Sequence, residues 1–176
     1  FTLVPGLLAA APLAWISNNG SNNISVIGTA TDTIGAPISL VPLPRAVAVS
    51  PTHVFVTHDN DTLSIINKTT RMVATKTLPS SALVGVAASP NGSRVYVSGY
   101  GTNQLFVVDT TNNNAIIATL PVSKPFGIAV KPDGSRAYVA YDDGISARVA
   151  VLDTTTNTLL PPIALSGREP TGIAIS

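Results

Sequence analysis

The chain has 176 residues, of which 11% are charged and 45% are hydrophobic, and its formal net charge is +1. This composition excludes an intrinsically disordered chain, which needs low hydrophobicity and high charge. The near balance of 10 Lys and Arg against 9 Asp and Glu also excludes a basic nucleic-acid binder. The absence of cysteine excludes disulfides, thiolate catalysis and cysteine-bound zinc.

The first segment, residues 1–17, is a neutral apolar run with the sequence FTLVPGLLAAAPLAWIS. It lacks the positively charged start of a secretory signal. Pro5, Gly6 and Pro12 interrupt it before it reaches the roughly 20 apolar residues that a membrane span requires. We therefore expect a degenerate repeat with its own inner strand over 7–10, and no membrane span. A leftover targeting or membrane-proximal segment is the alternative.

A repeat runs through the chain, because proline recurs at intervals of roughly 40 residues after a short run of small and apolar residues. The recurring prolines are Pro12, Pro51, Pro90 and Pro132. This register predicts one domain with repeats over 5–43, 44–82, 83–124 and 125–169. Residues 170–176, PTGIAIS, start or complete a further unit.

The third and fourth repeats show the predicted elements of one unit most clearly. An inner strand, as at 127–130, is followed by a Pro-Asn-Gly or Pro-Asp-Gly turn in which glycine accepts a left-handed conformation. The second, third and fourth strands are predicted at 94–98, 104–108 and 115–120 in one repeat, and at 136–140, 148–152 and 158–163 in the next. No segment has the apolar period of a helix, so we predict none.

Four strands in roughly 40 residues, repeated in tandem, predict an all-β fold. We expect a β-propeller of four-stranded antiparallel blades, with about four repeats and the first strand of a fifth. A single blade cannot bury both of its faces, so neighbouring blades stack around an axis. This stacking explains the low charge, because strands that are buried on both faces are apolar.

Two segments carry a family resemblance: SPNGSRVYVSGYGTNQLFVVDTTNNNAIIATLPV and KPDGSRAYVAYDDGISARVAVLDTTTNTLLPPI. They resemble the YVTN-type β-propeller repeats of surface-layer proteins and other secreted bacterial and archaeal proteins. Tyr96 and Tyr138 match the tyrosine of that family, and Trp15 and Phe55 look like aromatic substitutes. The resemblance implies a secreted or cell-surface propeller. It says little about activity, because similar propellers include enzymes, cofactor-binding subunits and inert scaffolds.

Two kinds of charged residue recur with the repeat, and both indicate structural roles. Asp109 and Asp153 follow the third strand, where an aspartate caps a turn through the backbone. Asn67 stands at that place in the second repeat, which predicts a more relaxed turn there. Arg94 and Arg136 begin the second strand and are expected to be solvated or to bind a turn.

The loops between second and third strands are expected to line one rim of the central channel, where propellers commonly hold ligands. The candidate rim contacts are polar residues in these loops or at the neighbouring inner strand: Arg45, His58, Asp59, Asp142 and Asp143. Their carboxylates and imidazole are suitable ligands for a hard or borderline cation. Their spacing matches no defined metal loop, so exposed polar loops are the default interpretation and no metal site is predicted.

The sequence contains no local catalytic motif. His53 and His58 are five residues apart on one predicted strand and so lie on opposite faces, which argues against a shared site. There is no local Ser-His-Asp pattern and no phosphate-binding G-x-x-x-x-G-K, and Glu169 is the only glutamate. We predict no catalytic residue and no cofactor.

Five asparagines lie in the acceptor pattern for N-glycosylation, in or beside predicted turns: Asn19, Asn23, Asn60, Asn67 and Asn91. If the chain is secreted by an organism that glycosylates asparagine, these positions are candidate sites.

These observations favour a non-enzymatic extracellular or cell-surface propeller that acts as a structural, adhesive or self-assembling module. Its expected partners are proteins or copies of itself, bound through the propeller faces or the lone strand in 170–176. The alternative is an enzyme or cofactor-bearing propeller, lactonase-like or dehydrogenase-like, with its site at the channel mouth. Inner strands at both 7–10 and 172–176 favour a propeller that is cut or completed by a partner.

Overall fold

The computed structural model describes residues 12–176. These residues form 16 β-strands, β1 to β16, and two short 3₁₀ helices, Asn19–Ser21 and Tyr100–Thr102. The described part contains no α-helix, and no helix in it is long and apolar enough to cross a membrane. The expected all-β architecture is confirmed.

The strands form four antiparallel sheets of four strands each, here called blades 1 to 4 in chain order. Blade 1 contains β1 (Leu13–Asn18), β2 (Asn23–Gly28), β3 (Thr33–Ile34) and β4 (Ile38–Ser39). Blade 2 contains β5 (Pro44–Val49), β6 (His53–His58), β7 (Thr62–Asn67) and β8 (Val73–Thr77). Blade 3 contains β9 (Leu83–Ala88), β10 (Arg94–Gly99), β11 (Gln104–Asp109) and β12 (Ala115–Pro121). Blade 4 contains β13 (Pro125–Val130), β14 (Arg136–Asp142), β15 (Ala147–Asp153) and β16 (Thr158–Ala164).

The strands of blades 2 to 4 follow one another across each sheet, as the repeat predicts. The predicted bounds in blades 3 and 4 agree with the structure closely; for example, the strand expected at 104–108 is Gln104–Asp109. The strand expected at 7–10 lies outside the described residues. Residues 170–176 were expected to form an inner strand, but they are not a strand in the structure. No strand of the described residues forms a sheet with them.

Blades stack face to face, and each apolar core lies between two consecutive blades. The core between blades 1 and 2 contains Trp15, Ile24, Val26, Val54, Val56 and Ile66. The next core contains Phe55, Leu63, Ile65, Val95, Val97, Phe106 and Val108, among others. The third contains Tyr96, Leu105, Val107, Ala137, Val139, Ala150 and Leu152, among others. We call the face that a blade turns to the next blade its leading face, and the opposite one its trailing face.

The turns follow the predicted chemistry. Gly92 and Gly134 have φ of 72° and 73°, the left-handed conformation expected after Pro-Asn and Pro-Asp. Asp109 Oδ1 accepts hydrogen bonds from the Thr111 backbone N–H at 2.8 Å and hydroxyl at 2.7 Å. In blade 2, Asn67 Oδ1 accepts from the N–H groups of Thr69 and Thr70, both at 2.9 Å. Asparagine therefore makes the same cap, and the expectation of a relaxed turn at Asn67 was wrong.

The inner strands approach one another so closely that one position excludes any side chain. A Cβ atom added to Gly85 on β9 would lie 2.0 Å from the carbonyl oxygen of Phe126 on β13. Gly127 on β13 makes the equivalent close approach to residues 170–176. A Cβ atom added there would lie 2.9 Å from Thr171 O, and the Gly127 N–H donates to the same oxygen at 3.1 Å. Residues 170–176 therefore lie along β13 as β13 lies along β9.

Candidate functional site

The loops between second and third strands lie beside the connections that lead into the inner strands, and together they form one rim. Backbone bonds fix this arrangement: Asp59 N donates to Leu43 O at 2.9 Å, and Tyr100 N donates to Ala82 O at 2.9 Å. Leu43 and Lys124 have φ of 62° and 39°. These residues immediately precede the prolines that begin β5 and β13, so each inner strand starts with a sharp change of direction at the rim.

Arg45 and Asp59 form an exposed ion pair on blade 2. Arg45 Nη2 lies 3.0 Å from Asp59 Oδ2, and the two side chains are 46% and 37% exposed. At such exposure solvent screens the attraction, and the pair stabilises the fold by at most about 1 kcal/mol. Both residues are at the rim, as expected, and they satisfy each other there.

His58 lies beneath the rim rather than on it, because its side chain is fully buried. Its Nδ1 is 2.9 Å from Pro42 O, and its Nε2 is 2.8 Å from the hydroxyl oxygen of Ser64. A carbonyl oxygen only accepts, so Nδ1 carries the proton and Nε2 accepts from Ser64. Burial lowers the pKa of His58, since desolvation disfavours the charged imidazole.

The His58 and Ser64 pair resembles the nucleophile and base of a hydrolase, but neither side chain is accessible. Ser64 has 0% exposure, as His58 does, so no substrate reaches its hydroxyl in this arrangement. The pair instead satisfies two polar groups inside blade 2. Sequence reasoning missed it, because Ser64 carries no motif and its partner is determined by packing.

Asp142 shapes the rim of blade 4. Its Oδ1 accepts from Gly144 N at 2.7 Å, and its Oδ2 accepts from Glu169 N at 3.1 Å and lies 3.4 Å from Arg168 Nε. Its side chain is only 7% exposed. The backbone hydrogen bond from Glu169 is the main reason that the pKa of Asp142 is lowered, followed by the bond from Gly144.

Both carboxylate oxygens of Asp143 also accept hydrogen bonds from the protein. Its Oδ1 accepts from the N–H groups of Ser146 at 2.8 Å and Ile145 at 2.9 Å, and its Oδ2 is 2.7 Å from Arg148 Nε. The backbone bonds from Ser146 and Ile145 lower its pKa. The two carboxylates thus hold the loop in shape. Among residues 12–176 no three His, Cys, Asp or Glu residues come together in a group that could hold a metal ion.

A groove of about 410 Å³ opens at this rim between blades 3 and 4. The rings of Tyr100 and Phe126 form one wall, with centroids 5.1 Å apart. Arg168, Asp142 and Glu169 also line the groove, and so does Lys124, which is exposed. Of the groove residues, the sequence had identified Asp142 as a candidate rim contact. It gave no signal for Lys124 or Arg168, which reach the groove from the connections into the inner strands.

The candidate glycosylation sites differ in how their amides are engaged. Asn60, Asn67 and Asn91 each accept, through Oδ1, the N–H of the Ser or Thr two residues later, at 2.8, 2.9 and 3.0 Å. In contrast, Asn19 Nδ2 donates to Pro44 O at 3.2 Å. Asn23 Oδ1 accepts from Asn18 Nδ2 at 2.8 Å. Asn91 is exposed, whereas Asn60 and Asn67 are half-buried.

Comparison with known proteins gives structural neighbours only. No family model matches the chain, and no curated protein matches it. The solved structure of hydrazine synthase from Kuenenia stuttgartiensis is similar, with a TM-score of 0.79 and 19% identity over 87% of this chain and 46% of that one. A functionally unknown protein from Desulfotomaculum acetoxidans has a TM-score of 0.67 and 15% identity over 80% of this chain and 48% of that one.

The likeness shows the fold. It supports a propeller-like arrangement of the four blades. The chain spans less than half the length of both neighbours. At such low identity the likeness carries no information on activity.

Proposed function

We propose that the chain is a non-enzymatic β-propeller module of YVTN-type repeats that acts outside the cell or at the cell surface, where its rim loops and blade faces bind protein partners. One observation carries the proposal: the candidate rim side chains are engaged by other groups of the protein itself. Asp142 and Asp143 together accept four backbone N–H groups, and Arg45 is paired with Asp59. Such side chains fix loop shape, which is what a binding surface requires.

The interior supports the same proposal. The Ser64 and His58 pair is fully buried, and its hydrogen bonds are directed to the blade itself. A structural or adhesive role needs a rigid scaffold with shaped loops, and the stacked blades supply one. The low charge and the acceptor asparagines in turns agree with an extracellular surface.

A direct test measures turnover and adhesion with the same purified protein. We expect no hydrolysis of a lactone panel and no reduction of a redox dye above the rate without protein. We also expect the immobilised chain to retain envelope fragments of the producing cells, and Asp142→Ala to weaken this retention by disordering the rim loop. A turnover that Asp142→Ala or Tyr100→Phe abolishes would overturn the proposal. His53→Asn, at the opposite end of β6 from the rim, is the matched control.

The second candidate function is an enzyme or cofactor-bearing propeller with its site at the channel mouth. The groove beside Tyr100 and Phe126 favours it, because an aromatic wall beside the exposed cation Lys124 suits a planar anionic ligand. Titration of the chain with nucleotide cofactors and acyl lactones tests this role. Binding that Phe126→Ala removes, with retained folding, would favour it over the adhesive module.

A further inference from the structure

A polar groove of about 380 Å³ lies between blades 3 and 4, at the end of the blades opposite to the rim. It is formed by the Pro-Asn-Gly turn and the start of β10 on one side, and by the turns that precede β14 and follow β15 on the other. All of its residues lie between Ser89 and Thr155, so two consecutive blades of the described chain form the whole groove. Its volume is within the range of sites for small molecules.

Two side chains of the groove have hydrogen-bond donors available for a ligand. Asn91 Oδ1 accepts from the Ser89 hydroxyl at 2.8 Å and from the Ser93 N–H and hydroxyl at 3.0 and 2.8 Å, and these bonds leave Asn91 Nδ2 unused. Arg94 donates through Nη1 to the turn after β15, which leaves the N–H groups of Nη2 and Nε for other partners. A ligand of this groove therefore has to supply hydrogen-bond acceptors.

Arg94 also carries a charge that no carboxylate of the described chain pairs with. It is half-buried and forms no ion pair among residues 12–176. Asp133 lines the groove as well, but its Oδ2 lies 2.8 Å from Lys131 Nζ, which balances its charge. Asp109, opposite Arg94 in the strand register, uses Oδ1 to cap the turn that follows it. A guanidinium group binds a carboxylate through two parallel hydrogen bonds, so the groove favours a carboxylate ligand.

The rest of the lining indicates what kind of molecule carries the carboxylate. Tyr96, on the leading face of blade 3, is 1% exposed, and its hydroxyl lies beside Arg94 and Thr154. The hydroxyl-bearing residues Ser93 and Thr155 also line the groove. An apolar molecule would deprive these walls of their hydrogen bonds to water, whereas a ring with several hydroxyl groups replaces those bonds. The arrangement therefore suits a sugar acid.

We propose that the groove between blades 3 and 4 binds a uronic acid residue of an acidic polysaccharide. The carboxylate lies on Arg94 and on Asn91 Nδ2, and the ring hydroxyl groups contact Tyr96 and Thr155. This inference goes beyond the proposed binding of protein partners, because it adds a carbohydrate ligand at the end of the blades opposite to the rim. A single sugar in an open groove binds weakly, with a dissociation constant on the order of 1 mM.

The first test is an NMR titration of the chain with methyl galacturonoside and with methyl galactoside, which has a hydroxymethyl group in place of the carboxylate. The protein is produced without N-glycosylation, because Asn91 is itself a candidate acceptor. We expect the carboxylated sugar to bind at least about tenfold more tightly and to shift the signals of the Asn91 side-chain amide. Equal binding of the two sugars, or no binding well above the expected dissociation constant, would overturn the proposal. An acetylated glutamate amide that binds as tightly as the galacturonoside would overturn the assignment to a carbohydrate.

A matched pair of substitutions tests where the sugar binds. Asn91→Asp keeps the oxygen that caps the turn, as Asp133 does at the equivalent position of blade 4, and replaces the Nδ2 donor with a negative charge. Asn67→Asp makes the same change of charge outside the groove, at a turn where Asp109 is the equivalent residue of blade 3. We expect Asn91→Asp to weaken galacturonoside binding at least about tenfold, because like charges repel, and Asn67→Asp to leave it unchanged. Equal effects of the two substitutions would contradict the assignment to this groove.

A second pair of variants removes only a hydroxyl group and keeps the aromatic ring. Tyr96→Phe should weaken galacturonoside binding about threefold through the lost hydrogen bond. Tyr138→Phe, at the equivalent position of blade 4 and outside the groove, should leave binding unchanged. Thermal unfolding of both variants checks that they are folded. If Tyr138→Phe weakens binding as much as Tyr96→Phe does, the ligand does not lie between blades 3 and 4.

Discussion

The imidazole Nε2 of His58 accepts a 2.8 Å hydrogen bond from the hydroxyl of Ser64 inside blade 2, and both side chains are fully buried. The first blade makes the same contact with other residues, because Asn18 Nδ2 donates to Ser25 Oγ at 2.8 Å. Asn18 ends β1, and His58 ends β6, the strand of blade 2 that is equivalent to β1. Blades 1 and 2 therefore place a polar group here that bonds to a serine on the neighbouring strand, and in blade 2 the histidine adds a sensitivity to pH.

We predict that the free energy of unfolding rises with pH through the range below 6.5. Burial lowers the pKa of His58 from its ordinary value of 6.5, so near this pH the unfolded chain binds more protons than the folded chain. Stability is then complete above 6.5 and is lost as the pH falls toward the lowered pKa of the folded state, with a slope of at most about 1.4 kcal/mol per pH unit for one group. Urea unfolding at pH 5 and pH 7.5 measures the difference.

A matched variant separates His58 from other groups. His58→Asn places at this position the residue type that blade 1 has there, Asn18. We expect the variant to fold and to lose most of the pH dependence of its free energy of unfolding between pH 5 and 7.5. The aspartates with lowered pKa, such as Asp142, act at more acidic pH, because their ordinary value is 3.8. An unchanged dependence in His58→Asn would contradict the assignment.

The close approach of inner strands predicts a severe effect for Gly85→Ala. The new Cβ would lie 2.0 Å from Phe126 O, which is backbone and cannot rotate away. Blades 3 and 4 must separate locally, and we expect a loss of at least about 3 kcal/mol in the free energy of unfolding. Gly20→Ala is the control, because a Cβ at Gly20 meets nothing within 4 Å. Thermal unfolding of the two variants side by side gives the comparison, and equal melting temperatures would show that the inner strands are not in contact.

Arg94 ties blade 3 to blade 4, which makes it more important than its counterpart Arg136. Its Nη1 donates to Thr154 O and, at 3.3 Å, to Asn157 Oδ1, both in the turn after β15. Arg94→Gln should cost about 1 to 2 kcal/mol through the lost charge-assisted bond. Arg136→Gln at the equivalent exposed position should cost less than about 0.5 kcal/mol. Chemical denaturation at constant pH distinguishes the two, and the reverse order would be inconsistent with the inter-blade bond.

The sequence predicted correctly those features that depend on residues close together along the chain. The Pro-Asn-Gly and Pro-Asp-Gly turns, the caps at Asp109 and Asp153, and the strand bounds of blades 3 and 4 all follow from local chemistry. The same local view failed for Asn67, where the loss of aspartate suggested a weaker turn although an amide oxygen makes the same bonds.

What packs across the sheet was not predictable from one sequence. At the two positions held by His58 and Ser64, blade 3 has Gly99 and Phe106, whose ring fills the space beside the glycine. Blade 4 has Tyr141 and Ala150 at these positions. In each blade the two side chains together fill a similar volume, but the larger side chain comes from a different strand of the pair in different blades. The sequence therefore could not show that the His58 imidazole is buried inside blade 2, and His58 was expected to contact a ligand at the rim.

The rim carboxylates should differ strongly in their effect on stability. Asp142→Asn removes the negative charge that accepts two backbone N–H groups and faces Arg168, on a side chain that is 7% exposed. Asp59→Asn removes one partner of an exposed, screened pair and should cost less than about 1 kcal/mol. We expect Asp142→Asn to lower the melting temperature more at pH 7, and the gap to narrow in acid, where the lowered pKa of Asp142 is reached. Equal melting temperatures at pH 7 would show that the loop holds its shape without the Asp142 charge.

The acceptor asparagines predict an order of glycan occupancy if the chain is secreted by a cell that glycosylates asparagine. Asn91 should carry most glycan, because it is exposed and its contacts use Oδ1, which leaves Nδ2 as the atom to be modified. Asn19 should carry least, since its Nδ2 already donates to Pro44 O at 3.2 Å. Glycopeptide mass spectrometry of the secreted chain measures both sites in one sample. Asn91→Gln should remove the main glycoform and Asn19→Gln should leave it, whereas dominant occupancy at Asn19 would mean that modification precedes the folding of this rim.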